Sequence, residues 1–219
     1  MSEFAVLELL ELRDFPEDRT FTRTLQSIAL LKYLKKLSLN NFYVESEESL
    51  RRAVDGLKGL KSLTDIGPSH GTVLTDRFCQ FIAEKLPQIS EVDFSRNDLI
   101  TDAGIQIIMD QMNLQVPKLV KCLGITGLSL TGQNELKELD LTDCVNVNGG
   151  LLMKLVKQHH WLELLNLTGC CRDLSLSMSN TVAIVDGYVA AEKRIESIVC
   201  AADETFKKIL MRVRDILKY

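Results

Sequence analysis

One pattern constrains this chain more than any other. L-x-x-L-x-L, followed three residues on by Phe, Asn or Cys, returns about every 26 to 30 residues through most of its length. The clearest copies are Leu136-x-x-Leu139-x-Leu141-x-x-Cys144 and Leu162-x-x-Leu165-x-Leu167-x-x-Cys170, with Ile89-x-x-Val92-x-Phe94-x-x-Asn97 as a third. Leu7-x-x-Leu10-x-Leu12-x-x-Phe15 and Leu34-x-x-Leu37-x-Leu39-x-x-Phe42 fit the same template. Leu60-x-x-Leu63 followed by Ile66 is a degraded copy, and Leu119-x-x-Cys122 is the weakest. Counted from 7, 34, 60, 89, 119, 136 and 162, the steps are 27, 26, 29, 30, 17 and 26 residues, so one short step falls between 119 and 136. Gly124-x-x-Gly127 with Gly132 marks that interval as a tight, helix-poor repeat.

A unit of this size cannot bury its own apolar face and must stack on its neighbours, which makes the chain a solenoid. The alternation Leu139-x-Leu141 is a strand signal, so the short motifs predict a curved parallel sheet on the concave side. Between motifs the period changes. After Thr101-Asp102-Ala103-Gly104, the residues Ile105, Ile108, Met109 and Met112 share one helical face, as do Leu151, Leu152, Leu155 and Val156 after Asn148-Gly149-Gly150. The expected class is therefore α/β, with helices on the convex side.

The copies Leu136 to Cys144, continued by Val147 and Asn148-Gly149-Gly150-Leu151, and Leu162 to Cys170 resemble the leucine-rich-repeat family. The resemblance is to its cysteine-containing branch, as in F-box substrate receptors and antagonist-of-mitotic-exit-network proteins. The copy at Ile89, with Asn97, Leu99 and Thr101-Asp102-Ala103-Gly104, is similar to the ribonuclease-inhibitor variety. The resemblance implies a protein-binding frame that hosts many unrelated partners, and it covers roughly residues 4 to 173.

Near residue 173 the repeats are expected to end. From Ile195 the apolar positions run Val199, Ala202, Phe206, Ile209, Val213 and Ile216, alternating steps of 4 and 3 residues, which predicts an amphipathic helix. The domain reading is thus a repeat domain over 1–173 with about six to seven repeats, a connector over 174–187, and a C-terminal helix over 188–219. That helix is either a cap on the last repeat or a coiled-coil element for self-association or a partner helix, through Phe206, Ile209, Val213 and Ile216.

Composition narrows the setting. With 46% apolar residues in 219, there is ample material for a core. Glu3, Glu8 and Glu11 at the start argue against a signal or transit peptide, and no run reaches the ~18 apolar residues of a membrane span. Six irregularly spaced cysteines point to a reducing compartment, the cytoplasm with the nucleus as alternative. A net charge of -4 gives no broad attraction to nucleic acid or anionic membrane. Cys144, His159, His160, Cys170 and Cys171 lack zinc-ligand spacing, so no metal or other cofactor is expected. No motif sets a nucleophile beside a base, which argues against an enzyme.

What remains is a surface. In L1-x2-x3-L4-x5-L6-x7-x8 the x positions face outward. Position five reads Glu11, Ser38, Thr64, Asp93, Leu123, Asp140 and Asn166. Positions two and three contribute Lys35, Lys36, Lys61, Glu91, Lys121, Lys137, Glu138 and Glu163. Glu91, Asp93, Glu138, Asp140 and Asp143, with Arg96 beside them, form an expected patch for a basic or mixed-charge protein partner. The reading is a non-enzymatic interaction adaptor or scaffold. Its alternatives are a ubiquitin-ligase substrate receptor, a small-GTPase regulator similar to the Ran GTPase-activating protein, and a cytoskeletal capping domain like the tropomodulin C-terminal region. A substrate receptor implies an F-box ahead of the repeats, where six residues precede Leu7.

Overall fold

Alternating leucines demand one buried and one open face, and each copy of the pattern accordingly places its fourth residue in a short strand. The computed structural model describes residues 7–13, 20–40, 46–64, 66, 74–131, 136–148, 155, 159, 162–166, 168–170 and 197–199. The strands are β1 (Leu9–Arg13), β2 (Lys36–Asn40), β3 (Ser62–Thr64), β4 (Glu91–Asp93), β5 (Val116–Lys118), β6 (Glu138–Asp140), β7 (Leu164–Asn166) and β8 (Ser197–Val199). They form one parallel sheet in chain order. Helices α1 (Thr20–Ile28), α2 (Glu47–Asp55), α3 (Asp76–Lys85) and α4 (Asp102–Gln111) return the chain between strands, and a 3-10 turn at Leu128–Thr131 replaces the helix in the short repeat, as its glycines imply. The architecture is an α/β leucine-rich-repeat solenoid.

The core lies between sheet and helices. Leu37, Leu63, Val92, Leu139 and Leu165 in the strands meet Leu50, Val54, Phe78, Ile82, Ile105 and Ile108 from the helices, all buried. Phe78 of α3 stands edge-on to Phe94 after β4, ring centroids 6.5 Å apart, a favoured arrangement of ring quadrupoles.

Hydrogen bonds between repeats complete the stacking. At the start of each strand the amides of Lys36, Ser62, Glu91, Val116, Glu138 and Leu164 donate to the carbonyls of Glu8, Lys35, Lys61, Ser90, Gln115 and Lys137, one repeat back. On the helical side the first residue of α2, α3 and α4 is acidic and receives the threonine that starts the next unit. Glu47 accepts from Thr75 N and Oγ1 at 2.7 and 2.8 Å, and Asp76 accepts from Thr101 N and Oγ1, both at 2.7 Å. Asp102 accepts from Thr126 N and Oγ1 and also from Ser129 Oγ at 2.9 Å. Thr75 and Thr101 also cap their own helices, so one side chain joins two repeats. Gly104 keeps this seam closed, since a Cβ there would meet Asp76 Oδ1 at 2.3 Å.

Two sequence expectations change. The weak copy assigned to Leu119-x-x-Cys122 is displaced by five residues: Pro117 pairs with Val92 and Lys118 with Asp93, so the unit reads Leu114-x-x-Pro117-x-Leu119-x-x-Cys122. Starting positions 89, 114 and 136 are 25 and 22 residues apart, and the 17-residue anomaly disappears. Proline in a strand is tolerated here because the nearby ladder bonds come from Val116 N to Ser90 O and Leu119 N to Asp140 O, neither of which needs its missing N–H. The second change is at the C-terminus. Ser197–Val199, placed in the predicted helix, form β8, with Ile198 in register with Leu165. Ile195-x-x-Ile198-x-Cys200 repeats the spacing of the motif, and the adjacent β-branched Ile198 and Val199 favour a strand. Residues 174–187 and the rest of 188–219, including Phe206, Ile209, Val213 and Ile216, lie outside the described residues.

Leu139→Ala, a fully buried truncation, is expected to cost ~2 to 5 kcal/mol in urea unfolding. Burial raises the Asp102 carboxyl pKa, but hydrogen bonds from Thr126 and Ser129 outweigh it and hold the group below its ordinary value. Its contribution is therefore complete above the unfolded carboxylate pKa of about 3.9 and is lost as pH falls through the lower folded value. Asp102→Asn is expected to destabilise by about 1 to 3 kcal/mol at pH 7, with the gap to the unaltered protein narrowing below about pH 4 in the same assay.

Candidate functional site

The open face of the sheet presents the outward residues strand by strand. Lys35, Lys36 and Lys61 are exposed in the second and third repeats, and Lys137, Glu138 and Glu163 in the sixth and seventh, with Glu91 half-buried between. Position five has a different role. Asp93 is 8% exposed and accepts from Ser95 N at 2.9 Å; Asp140 accepts from Thr142 N at 2.9 Å and Thr142 Oγ1 at 2.6 Å; Asn166 accepts from Thr168 N at 3.1 Å. Each folds back to cap the turn that ends its own strand. Of the predicted acidic patch, Glu91 and Glu138 are the carboxylates standing off the sheet, while Asp93 and Asp140 are engaged in structure. Lys118, which the displaced register had hidden, pairs across the ladder with both Asp93 and Asp140 and divides the acidic row. Leu123, read from sequence as position five, sits on the rim instead.

That rim is built by a repeated backbone conformation. Arg96, Lys121, Asp143 and Gly169 occupy position eight of four successive repeats and are left-handed, with φ of 64, 58, 57 and 66°. For the three non-glycines this costs about 1 to 2 kcal/mol each. The offset is a cross-repeat hydrogen bond: the amides of Arg96, Lys121 and Asp143 donate to Val120 O, Thr142 O and Thr168 O at 2.7, 2.8 and 2.7 Å. An unmade buried bond would cost about as much as the strain. The turn aims these side chains into a groove of about 650 Å³ lined by Arg96, Asp98, Lys121, Leu123, Asp143, Val145 and Gly169. Lys121 Nζ lies 3.6 Å from Asp143 Oδ2. Thus Arg96 and Asp143, predicted as part of the concave patch, meet on this rim.

Behind the sheet, position nine carries Cys122, Cys144 and Cys170. Their thiols donate to Phe94 O at 3.2 Å, Leu119 O at 2.7 Å and Cys144 O at 3.4 Å. Burial pushes the Cys122 and Cys144 pKa values to about 12, and burial raises that of Cys79 as well, followed by the charges of Asp76 and Glu47. These thiols are protonated at neutral pH and poor nucleophiles. His159 is buried and donates from Nε2 to Leu130 O at 2.7 Å, a core role. Among the described residues no cluster of three or more His, Cys, Asp or Glu is placed to hold a metal, and no helix is long and apolar enough to cross a membrane.

The site is therefore a pair of surfaces on a repeat solenoid, one across the strands and one along the rim. No protein-family model matches the sequence, and no curated protein does. Solved structures similar to it include two internalins and a tropomodulin domain. Internalin C2 of Listeria monocytogenes is 16% identical, over 80% of this chain and 74% of that one, with a TM-score of 0.49. An internalin (inlF) of the same organism is 19% identical over 71% of this chain and 48% of its own, with a TM-score of 0.42. The tropomodulin C-terminal domain of Caenorhabditis elegans is 11% identical over 93% and 92%, with a TM-score of 0.38.

Cys122 and Cys144 are expected to react with iodoacetamide at pH 8 at least a hundredfold more slowly in the native protein than in urea, followed by mass spectrometry. Equal rates would contradict their burial.

Proposed function

We propose that this chain is a non-enzymatic interaction adaptor that binds a protein partner through the concave face of its sheet. The observation that carries the reading is the outward row at positions two and three. Its long charged side chains, Lys35, Lys36 and Lys61 followed by Glu91, Lys137, Glu138 and Glu163, stand on a rigid ladder. Such a row discriminates partners by charge pattern, basic in the early repeats and mixed in the later ones. A non-catalytic role is supported by the inertness of the buried thiols.

The cysteine-containing kind of repeat is part of the same proposal, supported by the thiol-to-carbonyl bonds of Cys122, Cys144 and Cys170. That feature favours one second reading, a ubiquitin-ligase substrate receptor, which would copurify with a Skp-type adaptor. The cysteine usage also supports a reducing compartment, the cytoplasm or nucleus.

Glu91→Lys with Glu138→Lys spares the turn-capping Asp93 and Asp140. The double variant is expected to retain its melting temperature within a few degrees while quantitative affinity capture of the partner falls about tenfold or more. Undiminished capture would move recognition off this face.

A further inference from the structure

We propose that the rim groove is a second, separate docking site, for an extended protein segment carrying an acidic side chain next to an apolar one. The groove's charged groups differ in whether they are already engaged. Asp98 accepts from Leu123 N at 3.2 Å, and Asp143 is paired with Lys121. The groove's two carboxylates thus have partners. Arg96 has none for its guanidinium among the described residues, and it is exposed. The lining's formal charges balance, Arg96 and Lys121 against Asp98 and Asp143, and the guanidinium is the group whose donors are unmatched, a fork that takes a carboxylate by two parallel hydrogen bonds.

The apolar half is as clearly presented. Leu123 is held at both backbone ends, its amide by Asp98 and its carbonyl by Asn146 Nδ2 at 2.7 Å, yet the residue is 45% exposed. Val145 continues the strip one repeat on, and Gly169 leaves the far wall without a side chain. A Cβ at Gly169, whose φ is 66°, would meet Asp143 Oδ1 at 2.0 Å and push the lysine's partner aside. Neighbouring repeats are about 4.8 Å apart along the sheet, and Arg96 and the Leu123 strip, on successive repeats, line the same groove. The volume, about 650 Å³, is within the ~300 to 1,000 Å³ usual for ligand pockets. A basic or wholly apolar segment would leave Arg96 buried without a partner.

The test is selection of displayed random heptapeptides on the full chain, with binding of the enriched peptides measured by fluorescence anisotropy. Peptides pairing Asp or Glu with Leu, Ile or Phe are expected to dominate, to lose at least tenfold in affinity for Arg96→Glu and for Leu123→Asp, and to bind Glu91→Lys with Glu138→Lys unchanged. All variants are on the surface and are checked by thermal melting. An absence of enrichment, enriched peptides lacking an acid, equal binding to both rim variants, or displacement of every peptide by inorganic phosphate alone would each overturn the proposal. Because the concave variant serves as the control, failure here is distinguishable from failure of the concave-face reading.

Discussion

No repeat of this chain can satisfy its own backbone. A short strand and a nine- or ten-residue helix leave amides and carbonyls open at their edges, and among the described residues those at the strand ends and rim turns are closed by neighbouring units. The same step carries the acid-to-threonine bonds between Glu47 and Thr75, Asp76 and Thr101, and Asp102 and Thr126. Polar satisfaction and apolar burial therefore share one direction, along the solenoid, and the outward side chains inherit a fixed spacing from it. A ladder whose rungs cannot slip holds the row of surface charges at a fixed spacing, as the proposed recognition by charge pattern requires.

The sequence was most legible where burial alone decides the residue. Positions one, four and six are apolar because they face the core, and their spacing located six of the eight strands to within a few residues. It failed where another requirement intervened. Pro117 stands at position four without the look of a strand residue, which moved the apparent register to Leu119 and hid Lys118. At Ile198 two periods overlap, a motif spacing and a heptad spacing, and three residues in isolation cannot separate them.

The surface was less legible than the core for a related reason. Alternation shows which way a side chain leaves the strand but not whether it then folds back. Asp93 and Asp140 leave outward as expected and turn to cap the amides of Ser95 and Thr142, so one oxygen of each serves the fold. Likewise nothing in the residue types of Arg96, Lys121 and Asp143 announces a left-handed turn, since that conformation is imposed by the carbonyls of the following repeat.

Native-state amide hydrogen exchange, residue by residue, tests the stacking ladder most directly. The account predicts that the strand-end amides of Phe94, Leu119 and Leu141 and the rim amides of Arg96, Lys121 and Asp143 are protected together, all being donors to the next repeat. Rim amides exchanging at unprotected rates while the strands stay closed would contradict it, because the left-handed turns would then have no cross-repeat bond to hold them.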